Sequence, residues 1–274
     1  MSNTKTNSNA AKDDVLSNGF GTYDASVLLA NDAGSAKIIG TGFTNGVTWN
    51  AVTNTFTVPA GITEFNYEIA TGNGNGTHSI ATVKVAAPTG PELVQNWSFE
   101  DPRGPESGLT GGTYTTGSAL PGWTTDTGSA PLEVVSKGYN NINGDGHWLD
   151  TQASPGSVDI SQVISGLSAG QHAQMTFSVA AEEITSYGGD LKTDPNEKLD
   201  FVFGGNVVKE VSLADFAKTD GTTDFNHFLT FNANVVGGTN NTLQIFSHGA
   251  SPSGNVGFAI DSVSIKALAL PPSV

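Results

Sequence analysis

Large apolar and polar positions alternate with a period of two along much of this chain. In residues 65–69, Phe65, Tyr67 and Ile69 alternate with Asn66 and Glu68, which puts three large apolar groups on one face of a half-buried strand. Ala81, Val83 and Val85 repeat the pattern. The run at residues 225–235 aligns Phe225, His227, Leu229, Phe231, Ala233 and Val235 on one side, and alternation of that length has no helical counterpart. Shorter apolar runs bounded by Gly and Asn predict strands at residues 27–29, 37–39, 56–58 and 80–85. Others are predicted at 132–135, 158–164, 174–179, 199–203, 242–246 and 256–265. Only residues 208–218 admit a short helix, and a strand followed by a turn fits them as well. Near the end of the chain Phe258 and Ile260 share one phase while Val263 and Ile265 take the other, which predicts a bulge around Asp261 and Ser262.

These elements predict an all-β protein of two units, a small antiparallel β-sandwich followed by a larger sandwich. Residues 86–92 are rich in proline and small side chains and mark the boundary. The expected division is a disordered segment at 1–12, a first domain at 13–87, a linker at 88–92, a second domain at 93–267 and a tail at 268–274.

Composition narrows the chemistry. Among 274 residues there is no cysteine, so apolar packing or bound ions must hold both cores. Lys and Arg total 11 against 26 Asp and Glu, and the formal charge of -15 argues against nucleic acid and anionic membranes while favouring cations. No apolar run approaches the ~20 residues of a membrane span, so no membrane insertion is expected. The opening residues lack the apolar stretch of a secretion signal, and any export address is expected elsewhere.

Residues 136–148 are dense in amide, acid and aromatic groups, which are costly core material and ordinary binding material. Tyr139, Asn140, Asn141, Asn143, Asp145 and His147 are the first candidates to contact a ligand. Trp148 fits either core or a stacking platform, Trp123 and Tyr187 are further aromatic candidates, and Trp97 is expected to pack. A second acidic stretch contains Glu182, Glu183, Tyr187, Asp190 and Asp194, which fit a calcium or hydroxyl-binding loop or a solvated surface. There is no phosphate-cradling glycine loop or His-Glu-x-x-His signature, and the five histidines have no zinc spacing. No catalytic residue is expected.

The segments LVQNWSFEDP, LPGWTT, GDGHWLD, SVDISQVISGLSAGQHAQMTFSVA and NVGFAIDSVSI span nearly all of the second unit. In that order they resemble the galactose-binding-like jelly rolls of bacterial carbohydrate-binding modules. The resemblance implies a jelly-roll β-sandwich whose two chain ends lie close together, with Glu100 and Asp261 helping to hold a structural Ca2+. In the first unit AAKDDVLS, SVLLANDAGSAKIIG and FNYEIATGNGNGTHSIATVKV resemble bacterial cadherin-like adhesin repeats. That resemblance implies an interdomain Ca2+ held by Asp13, Asp14 and Asp32, although AGSAK stands where the family's acid-rich segment normally follows.

The two resemblances imply a calcium-stabilised carbohydrate-binding or adhesion module of a secreted or cell-surface bacterial protein. Its partner would be a polysaccharide or cell-surface glycan, with neighbouring protein domains as further partners. The alternative is a structural, protein-binding component of a surface layer, matrix or large adhesin. A polysaccharide lyase or glycoside hydrolase is the remote alternative.

Overall fold

The computed structural model describes residues 11–32, 35–70, 78–100, 114–117, 120–125, 132–136, 142, 146–151, 158–184, 191–192, 197–248 and 257–269. The chain is all-β and divides into two compact units, Met1–Gly90 with Ala267–Val274, and Pro91–Lys266.

In the first unit, β1 (Asp14–Leu16), β3 (Lys37–Ile38), β6 (Glu64–Ala70) and β7 (His78–Val85) form a sheet in the order β1-β7-β6-β3. The strands β2 (Gly21–Asp24), β4 (Thr48–Asn50) and β5 (Thr55–Val58) form a second sheet in the order β2-β5-β4. Phe65, Tyr67 and Ile69 face inward as the alternation requires, meeting Phe56, Val58, Ala81, Val83 and Val85 in one core. The sandwich is not wholly antiparallel, because β1 pairs in parallel with β7, Asp14 opposite Val83 and Leu16 opposite Val85.

Two local expectations fail here for identifiable reasons. Residues 27–29 form a single helical turn, Ser26–Leu29, not a strand. The Asp24 carboxylate accepts the Ser26 N–H at 2.8 Å, a local turn that starts the chain into the helical turn, which buries Leu28. At the N-terminus Ala11 and Lys12 are tied down, their N–H groups donating to Ser79 Oγ and Asp32 Oδ1, so order begins before residue 13.

The chain enters the second unit along β8 (Ala87–Glu92), so the expected linker is a strand. Pro88 and Pro91 lack an N–H, and β8 lies off the main strand path, pairing with β21 (Phe258–Ala269). The large sheet continues with β9 (Tyr114–Gly117), β11 (Leu132–Ser136), β12 (His147–Asp150), β14 (His172–Ala181) and β19 (Leu229–Val236), in the order β19-β14-β21-β12-β11-β9. A five-stranded sheet has the order β10-β13-β20-β17-β18. These are β10 (Thr124–Thr125), β13 (Asp159–Val163), β17 (Lys198–Phe203), β18 (Asn206–Ser212) and β20 (Thr242–His248). A short pair joins β15 (Glu183–Ile184) and β16 (Leu191–Lys192).

Side chains between the two larger sheets fill the core of this unit. Phe177 of β14 stacks on Phe201 of β17 with ring centroids 3.7 Å apart, and Phe216 packs on Phe258. Residues 208–218 resolve as the end of β18 and a 3-10 turn at Leu213–Phe216, closed by a capping box between Ser212 and Asp215. The run expected from Phe225 starts as a strand only at Leu229. Asn226 takes a left-handed conformation (φ 61°) and His227, 2.8 Å from Asp224, leaves the apolar face. In β21 the first four residues, Phe258, Ala259, Ile260 and Asp261, are all buried and burial alternates from Ser262 to Ile265, and the strand runs uninterrupted through the position where the sequence predicts a bulge.

The chain ends of this unit meet at one carboxylate. Glu92 accepts the N–H groups of Leu93, Val94 and Ile265 at 2.9–3.0 Å and the Ser264 hydroxyl at 2.5 Å. The proximity that the jelly-roll resemblance implies is therefore fastened by a residue expected to lie in a linker.

Candidate functional site

All five side chains of β11 are buried, so this strand is covered on both faces. One face carries Leu132 and Val134; the other carries Glu133 and Val135. Antiparallel pairing sets Glu133 opposite Asp150, Val135 opposite Trp148, and Asp150 opposite Ala259, and cross-strand partners project to the same side. Acids thus occupy a shielded face of the large sheet, where an unpaired charge is expensive.

Just past β14, Glu182 joins this group. Its N–H donates to the Gly257 carbonyl at 3.1 Å and its Oε2 accepts the Gly257 N–H at 3.2 Å, clamping it beside the start of β21. Burial pushes the Glu182 carboxyl well above the ordinary glutamate value. The charge of Asp150 pushes the same way, the Gly257 N–H opposes it, and Glu197 and Glu133 add to the rise. Glu133, Asp150, Glu182 and Glu197 are all buried.

Trp148 supplies an apolar wall and a donor. Its fully buried ring belongs to a cluster with Val135, Ile142, Ala180 and Ala259, with Phe228 packed against it, and its indole Nε1 has no hydrogen-bond partner among the described residues. Carboxylates accept protons or coordinate a hard cation and an indole N–H donates, and these are the two kinds of group that a ligand bearing hydroxyls pairs with.

A second constellation lies at the start of the unit. Asn96 and Phe99 adopt left-handed conformations (φ 48° and 59°), a rare state for an aromatic residue. The turn is closed by Phe99 N–H to the Asn96 carbonyl (3.2 Å) and anchored by Val263 N–H to the Trp97 carbonyl (2.8 Å). Phe99 is buried with its ring 5.9 Å from that of Trp123, whose Nε1 donates to the Asn96 carbonyl at 3.4 Å. The same turn sends Trp97 outward, 45% exposed. Beyond it, Glu100 accepts the His147 N–H and lies 2.7 Å from His147 Nδ1. Gly146 permits this approach, because a Cβ there would overlap the Glu100 carboxylate.

The expected ligand residues divide accordingly. Tyr139, Asn140, Asn141, Asn143, Asp145 and Tyr187 lie outside the described residues, as do Asp190 and Asp194. His147 is held by Glu100. Trp123 is only 7% exposed and Trp148 fully buried, so neither presents a ring face to solvent; the exposed indole is Trp97, which was expected to pack. Glu182, expected on an acidic loop, is among the most deeply buried acids. The signal for Trp97 lay in Asn96, whose tolerance of left-handed backbone allows a turn where alternation with Phe99 reads as a strand.

The calcium candidates also separate. Both Glu100 oxygens engage His147, while Asp261 is buried on β21 with contacts of its own, so an ion held by Glu100 shares that carboxylate with the histidine. In the first unit Asp14 Oδ2 and Asp32 Oδ2 lie 2.8 and 2.9 Å from the Tyr67 hydroxyl, with the Leu28 and Lys12 carbonyls at 3.1 and 3.3 Å. These hard oxygens are the donor type calcium takes, here gathered around a phenol that can donate one proton. Burial is the largest cause raising the Asp14 carboxyl, and the Tyr67 phenol is raised strongly, first by burial and then by its two acidic partners. Asp13 turns elsewhere, accepting the Thr82 N–H at 2.8 Å.

No family model matches the chain, and no curated protein does. Among solved structures, a cyclase from Fischerella sp. is similar with a TM-score of 0.45 and 15% identity, over 68% of this chain and 99% of that one. The CBM22-1 xylan-binding domain of Paenibacillus barcinonensis Xyn10C gives 0.35 and 14%, over 66% and 97%. An adhesin domain of Lys-gingipain from Porphyromonas gingivalis W83 gives 0.38 and 13%, over 57% and 99%. The neighbours thus include carbohydrate-binding, adhesin and enzyme domains, and similarity this low does not choose among their functions. No helix among the described residues is long and apolar enough to cross a membrane.

Proposed function

We propose that the second unit is a non-catalytic carbohydrate-recognition module, stabilised by calcium and acting outside the cell or at its surface. The observation that carries this reading is the acidic face of β11 and β12, where Glu133 stands opposite Asp150, Trp148 shares the face, and the Asp150 charge acts on Glu182 at the end of β14. Saccharide hydroxyls both donate to carboxylates and accept from N–H groups, and the exposed Trp97 offers an aromatic face of the kind on which sugar rings stack. Calcium neutralises clustered carboxylates through hard oxygen ligands, and the oxygens around Tyr67 offer it a second place in the first unit.

The test is a glycan array probed with the intact chain in calcium and in EGTA. The expected result is binding to a coherent set of saccharides that weakens in chelator. Silence in both conditions, with the chain shown to be folded, would favour the protein-binding alternative. Release of new reducing ends from a bound glycan would overturn the non-catalytic part.

A further inference from the structure

The outward face of the five-stranded sheet carries a separate cluster that the recognition site does not use. Asp200 of β17 stands directly opposite Glu210 of β18, and Lys198 stands opposite His248 of β20, so Asp200 and His248 are diagonal neighbours. Phe201, adjacent to Asp200, points the other way and stacks on Phe177 in the core. His248 Nε2 lies 3.0 Å from Asp200 Oδ2. One ligand atom from each of Asp200, Glu210 and His248 lies within 4.8 Å of the others.

We propose that Asp200, Glu210 and His248 bind a single divalent transition-metal ion of the zinc class. Zinc bonds to nitrogen and oxygen of about 2.0–2.1 Å imply ligand atoms about 3.3 Å apart in a tetrahedron, close to the present Asp200–His248 separation. Glu210 and His248 are each more than two-fifths exposed along the side chain, so both can turn to complete the set. A second observation points to a cation: Asp200 is only 7% exposed, yet its other oxygen, Oδ1, is buried without a hydrogen-bond partner among the described residues. Leaving such an oxygen unsatisfied is costly, and a metal beside the carboxylate removes that cost.

The donor set selects the metal. One imidazole and two carboxylates suit zinc, nickel or cobalt, whereas calcium seeks six to eight oxygens. The fourth position faces solvent, open to water or to a donor from a bound molecule. Lys198 is the built-in competitor, its Nζ 2.7 Å from Glu210 Oε1. Zinc binding therefore requires Glu210 to offer its other oxygen or release the lysine.

The experiment strips the full chain with EDTA, saturates it with calcium after the chelator is removed, and titrates it with zinc chloride in a calorimeter. The expected result is one zinc site, with affinity falling by about a hundredfold or more in Asp200→Asn and in His248→Ala, since even supporting partners of a metal ligand are worth about 10–100-fold. Lys198→Met should tighten binding, and His227→Ala, at an exposed histidine on Asp224, should leave it unchanged. Zinc should raise the melting temperature of the wild type and not that of Asp200→Asn. Absence of zinc uptake by folded wild type, or uptake unaltered in both Asp200→Asn and His248→Ala, overturns the assignment.

Discussion

Replacing Glu92 by alanine should destabilise the second unit more than any exposed substitution. The carboxylate receives three backbone N–H groups and one hydroxyl, and its partners Ser264 and Ile265 are 172 and 173 residues away in sequence. Leu93 N–H also reaches the Ile265 carbonyl at 3.0 Å, so it keeps an acceptor when Glu92 is truncated. The Val94 and Ile265 N–H groups lose theirs. A hydrogen bond to a charged acceptor is worth about 1.5–3 kcal/mol, and two such losses in a partly buried setting come to about 3–5 kcal/mol. Glu92→Gln retains an oxygen for the N–H groups and a polar atom for Ser264, and should cost about 1 kcal/mol. Urea unfolding followed by tryptophan fluorescence reads both variants. With a slope of about 2 kcal/mol/M, the alanine variant should shift the midpoint by about 2 M. A Glu92→Ala midpoint within about 0.5 M of wild type would refute the view that this carboxylate fastens the chain ends.

Further outcomes follow from the two units. Tyr67→Phe, measured in EGTA by thermal melting, should cost about 1.5–3 kcal/mol, because it removes the one proton donor standing between the Asp14 and Asp32 carboxylates; an unchanged melt would show that the phenol is not what holds them. Because the Glu182 carboxyl is raised in the folded chain, the native state binds more protons than the unfolded one in the window above the ordinary glutamate value, and stability must fall as pH rises through it. Glu182→Gln, free of that loss, should gain on wild type as pH rises above the ordinary glutamate value in EGTA, and parallel stability curves would contradict the shift. Trp97→Ala should weaken saccharide binding by about tenfold, about 1.4 kcal/mol, while leaving the melting temperature unchanged; full binding in the variant would remove Trp97 from the site.

Most strands were legible because period-two alternation survives wherever one face packs on a core, as at residues 65–69 and 81–85. The same rule hid the candidate site. A polar residue in alternation ordinarily faces solvent, so nothing local marks Glu133 and Asp150 as shielded, and only the pairing of β11, β12 and β21 shows that their face is covered. Glu182 sits in an acid-rich stretch that fits a binding loop or a solvated surface alike, and its burial depends on a contact with Gly257, far along the chain. Glu92 was hidden by its prolines, which signal a boundary without saying that the boundary is an edge strand. The outward turn of Trp97 depends on two left-handed residues, one of them an aromatic that no propensity would place there. The parallel pairing of β1 with β7 joins residues far apart in sequence and leaves no local mark.

The most direct test of the recognition account compares wild type with Asp150→Asn and Glu182→Gln on one glycan array, in calcium, after circular dichroism has shown all three to be folded. The account predicts that wild type binds a defined saccharide class and that both variants lose most of that signal. Saccharide binding that persists undiminished in both would contradict it, placing recognition away from the shielded acids.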